Sequence, residues 1–297
     1  MPELKRILCP VDFSEFSMRA YRYSVSVASQ YGAKLFVQHI VELWRYPYAD
    51  FAISPGLYDQ FCQTLCEKSE MELQQLVNTR SHSEVRTECV VQRGMVPDCI
   101  LAFAKDQKVD LIVMGTHGWR GFDRMMRGSA TERVMRRASC PVLAVNKPLH
   151  SFVGSDHQPG RIHLSRILFC TDFSEISQRA LGHAISLTVE YGAELILLHV
   201  FQDIPEPIKI QNQITTAIKQ LDAMIPPETY KAGKGKPKTI VRFGKPYQQI
   251  IQLATETQTD LVIMAVRRRR ALDLALFGST TNRVIEFGAF PVLATRV

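Results

Sequence analysis

The chain repeats itself, and this constrains its fold more than any other feature. Arg6-Ile7-Leu8-Cys9-Pro10-Val11-Asp12-Phe13-Ser14-Glu15 returns as Arg166-Ile167-Leu168-Phe169-Cys170-Thr171-Asp172-Phe173-Ser174-Glu175, an offset of 160 residues. The same offset relates Tyr31-Gly32-Ala33 to Tyr191-Gly192-Ala193, and His39 to His199. Further along, the offset is 150. Gly94 answers to Gly244, Asp110-Leu111 to Asp260-Leu261, Gly128-Ser129 to Gly278-Ser279, and Pro141-Val142-Leu143-Ala144 to Pro291-Val292-Leu293-Ala294. Agreement this extended means an internal duplication. The second copy is about ten residues shorter before Gly244. Pro148, Gly154, Ser155, Pro159 and Gly160 punctuate a linker between the copies. The expected domains are therefore 1–148 and 161–297, joined by 149–160.

Within each copy, short apolar runs alternate with helical patterns. The runs of the first copy are Arg6–Cys9, Lys34–Val41, Val85–Val91, Leu111–Met114 and Val142–Val145. Short, nearly continuous apolar runs read as parallel strands covered on both faces. Helices are expected near 17–31, 57–80, 97–105 and 130–137. The first has apolar Ala20, Val27 and Ala28 at helical spacing and Gly32 as its stop. The order βαβαβαβαβ predicts an α/β fold: two tandem doubly wound domains, with helices on both faces of each parallel sheet and right-handed crossovers. Such sheets bind ligands beyond the carboxyl ends of their strands, where the strand order reverses.

Composition excludes several classes. No apolar run approaches the ~18 residues of a membrane helix. The N-terminal run Ile7-Leu8-Cys9 is too short for a signal peptide, so the expected compartment is the cytoplasm, with no membrane insertion. Seven scattered cysteines without a Cys-x-x-Cys suit that compartment. Cys62 and Cys66 are one helical turn apart, but no second ligand pair lies near them, so two small helix residues are expected rather than a metal site. A net charge of +7 over 297 residues is modest. Its sharpest concentrations are Arg267–Arg270 and the looser run Lys231, Lys234, Lys236 and Lys238.

Two loops per copy directly follow apolar strands. In the first, Pro10-Val11-Asp12-Phe13-Ser14, a carboxylate at a strand's carboxyl end can accept hydrogen bonds from ribose hydroxyls. Asp12 or Ser14 can equally cap the helix that follows. In the second, Gly115-Thr116-His117-Gly118 is followed, after nine intervening residues, by Gly128-Ser129-Ala130-Thr131-Glu132. Glycines let the backbone approach a phosphate and adopt positive φ, and Gly128-Ser129 opens a helix whose free N–H groups form an anion site. Ser129 and Glu132 also have capping-box spacing, and the glycines can serve ordinary turns.

Taken together, strand–Pro-x-Asp-Phe-Ser, strand–Gly-x-x-Gly-x₉-Gly-Ser and Cys-Pro-Val-Leu-Ala-Val resemble the universal stress protein family over nearly all of both copies. The three-glycine spacing resembles the family's ATP-binding branch. The resemblance implies five-stranded sheets in the order 3-2-1-4-5 and a role as an ATP-binding stress regulator or sensor. It implies that Pro10, Val11 and Asp12 line the adenosine pocket, that Ile40 holds adenine through its backbone, and that Met114 and Gly115 flank the ribose. Gly118, Gly128, Ser129 and Ala130 would cradle the phosphates, with Mg²⁺ held through them. The family often dimerises through its last strand, which implies intramolecular pairing of the two copies and leaves room for a homodimer.

The second copy departs from this pattern. Ala265 and Arg268 stand where the first has Gly115 and Gly118, and Cys170 replaces Pro10. If Gly115 needs positive φ, Ala265 would cost about 1–2 kcal/mol there. ATP is therefore expected in the N-terminal copy alone. Among the alternatives, slow ATP hydrolysis would use His117 as general base. No Gly-Lys-Ser/Thr loop is present to support a phosphate-transfer enzyme. The Arg267–Arg270 run could take another anionic ligand. Nucleic acid is not an expected partner, because no aromatic residues interleave with the arginines.

Overall fold

The computed structural model describes residues 4–43, 55–80, 84–116, 130–148, 151–154, 162–203, 206–227, 229, 235–266 and 279–296. They form two compact units. One comprises Glu3–Cys140 with Val153–Arg161; the other comprises Pro141–Phe152 and Ile162–Val297, with Met1–Pro2.

The first unit runs β1 (Arg6–Pro10), α1 (Glu15–Tyr31), β2 (Lys34–Val41), α2 (Pro55–Arg80), β3 (Thr87–Arg93), α3 (Val96–Asp106), β4 (Leu111–Gly115) and α4 (Ala130–Arg137). Its strands pair in parallel in the order β3-β2-β1-β4. Ile7, Leu8 and Cys9 of the central strand are fully buried, which is why β1 reads as an unbroken apolar run. Each such Ile or Leu contributes about 1.5–3 kcal/mol of burial free energy. Edge strand β3 is only half-buried along its length. Polar Thr87 and Glu88 open it and Gln92 and Arg93 close it, so its limits lie two residues beyond those read from the apolar run.

Helix α1 begins earlier than its apolar spacing suggests, because Ser14 caps it. The Ser14 side chain accepts from the Ser17 N–H, and Gly32 ends the helix in the left-handed conformation at φ 61°. At the amino end of the sheet, Asp110 Oδ2 accepts from the backbone N–H groups of Lys5 and Arg6, both at 2.9 Å. Asp260 does the same for Ser165 and Arg166 at 2.7 and 2.9 Å. The repeated Asp-Leu pair is thus a structural pin.

The second unit contains β5 (Val142–Val145), β6 (Arg166–Cys170), α5 (Glu175–Tyr191), β7 (Glu194–Phe201), α6 (Pro207–Ala223), β8 (Lys238–Phe243), α7 (Pro246–Glu256), β9 (Leu261–Ala265), α8 (Ser279–Phe287) and β10 (Val292–Thr295). Strands β8-β7-β6-β9-β10 are parallel, giving the 3-2-1-4-5 order in full. Strand β5 comes from the first repeat of the sequence, yet it pairs antiparallel with β10 inside this unit, Leu143 opposite Leu293. It covers the edge that β10 would otherwise leave bare. Compact unit and sequence repeat therefore differ by this one strand. Just after β5, the Asn146 side chain donates to the Gly288 carbonyl at the end of α8.

The strand topology gathers the carboxyl ends of β1, β2 and β4 on one side, with the order reversing between β1 and β4. Among the described residues, no helix is long and apolar enough to cross a membrane.

Candidate functional site

The β1–α1 loop lies at that reversal. Val11 N–H bonds the Gln38 carbonyl at 2.8 Å, holding the loop against β2. Asp12 Oδ1 accepts from the Ser14 N–H at 3.1 Å and from the Ser14 hydroxyl at 2.6 Å, while Ser14 Oγ accepts from the Ser17 N–H at 3.2 Å. These groups carry out helix entry. Phe13 between them has φ 60°, a conformation that costs a non-glycine residue about 1–2 kcal/mol. Its ring lies over His39 with centroids 4.9 Å apart. His39 Nδ1 is 2.9 Å from the Val11 carbonyl. A carbonyl only accepts, so Nδ1 carries the proton.

Ile40 is buried, and its backbone orientation follows from the ladder. Lys34 N–H bonds the Lys5 carbonyl and the Gln38 carbonyl takes Val11, so even-numbered residues of β2 turn their backbone toward β1. Leu35 N–H bonds the Arg86 carbonyl and the Val41 carbonyl takes Gly94, so odd-numbered residues turn toward β3. Ile40 therefore turns its N–H and C=O toward the β1 side. It lies two residues past Gln38, whose partner Pro10 is the last residue of β1.

On the other side of the reversal, Met114 is buried in β4 and Gly115 ends that strand. Gly115 does not have positive φ, and neither does Ala265, so alanine carries no backbone strain at this position. A Cβ on Gly115 would lie 2.7 Å from the Phe16 carbonyl carbon, 2.8 Å from the Phe16 oxygen and 2.9 Å from the Ser17 nitrogen. Glycine is required because the first turn of α1 presses on the strand. The Gly115 carbonyl accepts from Thr131 Oγ1 at 2.8 Å, which ties β4 to the start of α4 beside half-buried Ala130. Of the expected phosphate cradle, Gly118, Gly128 and Ser129 lie outside the described residues, as do His117, Gly278 and Arg267–Arg270.

The second repeat builds the same loop. Asp172 Oδ1 accepts from the Ser174 N–H and hydroxyl at 3.0 and 2.5 Å, Phe173 has φ 61°, and His199 Nδ1 is 2.9 Å from the Thr171 carbonyl. Because both repeats share this scaffold, it is architecture and does not by itself mark a ligand site. Thr171 adds what Val11 lacks: its hydroxyl accepts from the Phe173 N–H at 3.0 Å and bonds Ser177 Oγ at 2.8 Å. The left-handed Phe13 and Phe173 were not foreseeable from the sequence, since nothing in side-chain pattern signals positive φ at an aromatic residue.

No group of three or more His, Cys, Asp or Glu able to hold a metal occurs among the described residues. Cys62 is buried in α2, and Cys66 Sγ accepts from Arg93 Nε at 3.1 Å. Burial pushes the Cys9 and Cys140 thiols up to about 12, so neither supplies a nucleophile at neutral pH.

Comparison with known proteins agrees with this architecture. The model of the universal stress protein family matches residues 3–146 and again 163–296. A universal stress protein of Methanocaldococcus jannaschii is 31% identical over 144 residues, 48% of this chain and 83% of that protein. One from Synechocystis is 22% identical over 311 residues, spanning 99% of this chain and all of the relative. Among solved structures, a universal stress protein from Archaeoglobus fulgidus shares the fold with a TM-score of 0.69 at 19% identity, covering 99% of this chain and 97% of that one.

Proposed function

The chain belongs to the universal stress protein family, in two tandem copies, and from that premise we propose that it is an ATP-binding, cytoplasmic stress regulator or sensor with one nucleotide held in the N-terminal repeat. The observation that carries this reading is the asymmetry of the glycines. The first repeat has Gly115, Gly118, Gly128 and Ser129 in the spacing of a phosphate cradle; the second has Ala265 and Arg268 at the first two positions.

The described geometry suits the assignment. Ile40 turns a donor and an acceptor toward the gap beyond β1, which fits recognition of an adenine edge. Pro10, Val11 and Asp12 would line one wall of the nucleoside pocket, and Met114 and Gly115 the other. Asp12 Oδ1 is committed to Ser14, so the carboxylate would reach a ribose hydroxyl while staying tied to its loop. Ala130 and the start of α4 would offer backbone N–H groups to phosphate, together with Gly118, Gly128 and Ser129. Mg²⁺ would arrive with ATP, held through the phosphates.

Calorimetric titration of the full chain with MgATP tests this. The expected stoichiometry is one, abolished when Gly118 is replaced by Trp, because the backbone could then no longer approach the phosphates. A stoichiometry of two, or no heat of binding, contradicts it.

A further inference from the structure

The shared scaffold makes the two repeats a controlled comparison, and they part company at the carboxyl end of their first strand. Lys5 and Val11 turn their backbone toward β2, so the alternate residues Leu8 and Pro10 turn toward β4. Pairing of β1 with β4 consists of Ile7 with Leu111 and Leu8 with Ile112, and then stops. The equivalent pairing of β6 with β9 continues through Phe169 with Ile263 to Cys170 with Met264. The next rung in the first repeat needs the N–H of residue 10 to donate to the Val113 carbonyl, and proline has none. Cys170 supplies that N–H to Ile263. The following residues tie each loop to its helix by different groups: the Thr171 hydroxyl binds Phe173 N–H and Ser177 Oγ, whereas in the first repeat the Asp12 N–H donates to Ser17 Oγ at 3.3 Å.

We propose that Pro10 helps select which repeat admits a nucleotide: it ends the β1–β4 ladder two residues early, so that its own position sends no N–H bond to β4 where the strand order reverses. Cys170 closes the equivalent rung of the second repeat. A nucleoside entering between the strand ends then displaces no ladder bond in the first repeat, but must break one in the second. Pro10 acts here through the backbone and is a positioning residue. This inference rests on the ATP reading above.

Two variants of the full chain test it. Pro10→Ala restores the N–H. Hydrogen exchange followed by mass spectrometry should then show a new slowly exchanging amide in peptides covering residues 8–14, protected about fivefold, as for one ladder bond. MgATP affinity, measured by calorimetry, should weaken by about the same factor, since binding must now break that bond. Cys170→Pro is the reciprocal and should speed exchange across residues 168–174, giving a test even if Pro10→Ala fails to fold. Unchanged affinity in a Pro10→Ala protein that has gained the slow amide overturns the inference. So does the absence of any exchange change in both variants. If the unaltered chain binds no ATP, the ATP reading itself fails, which is distinct from an unaltered chain that binds while Pro10→Ala binds equally well.

Discussion

Gly115→Ala separates packing from ligand binding at the centre of the candidate site. A Cβ there would sit 2.7–2.9 Å from three backbone atoms of Phe16 and Ser17. Backbone in the first turn of a helix cannot swing aside as a long side chain can. The Ser14 cap and the Asp12 bonds, moreover, hold that turn in place. Relief requires α1 to shift by several tenths of an ångström, an overpacking cost of about 1–3 kcal/mol. With a urea dependence of about 2 kcal/mol per molar, the unfolding midpoint should fall by about 0.5–1.5 M without any nucleotide present. Far-ultraviolet circular dichroism follows the loss of α1 and the other helices as urea is raised. A midpoint unchanged within about 0.2 M would refute the reasoning, because Gly115 would then be needed only for a ligand.

Ser14→Ala should destabilise the first repeat by about 0.5–2 kcal/mol in the same assay, by removing the acceptor for the Ser17 N–H; Ser174→Ala should cost the second repeat a similar amount. Alkaline stability should report the buried thiols. Cys9 and Cys140 are raised from 9.0 to about 12 by burial, so the unfolded chain loses these protons first. Their contribution is intact below pH 9 and drains away between there and about 12, by about 1.4 kcal/mol per pH unit for each thiol. Cys140→Ala should flatten the fall by one proton's worth, and an unchanged slope would contradict the assignment.

Much of the architecture was legible because it rests on apolar periodicity. Strands Lys34–Val41 and Val142–Val145 fall on their apolar runs residue for residue, since most residues of each are buried. Edge strand β3 was less legible, because this half-buried strand begins and ends in pairs of polar residues that mark no apolar run. Three features of the site lay beyond reach for a different reason: they are relations between distant backbones. The demand for glycine at 115 comes from α1, nearly a hundred residues earlier in the chain. The ladder stop at Pro10 is visible only once β1 and β4 are known to be in register at Leu8 and Ile112. The assignment of β5 to the second unit depends on its pairing with β10. Asp12 and Ser14 show the converse, as their capping geometry was one of two readings open in the sequence and is realised twice, at Ser14 and at Ser174.

The central claim, that one repeat of this chain holds a nucleotide and the other does not, is tested most directly by native mass spectrometry of the intact chain in excess MgATP. The account predicts a single added mass of one magnesium-bound ATP per chain, with no second addition as the nucleotide is raised further. Two additions of comparable affinity, or none, would contradict it.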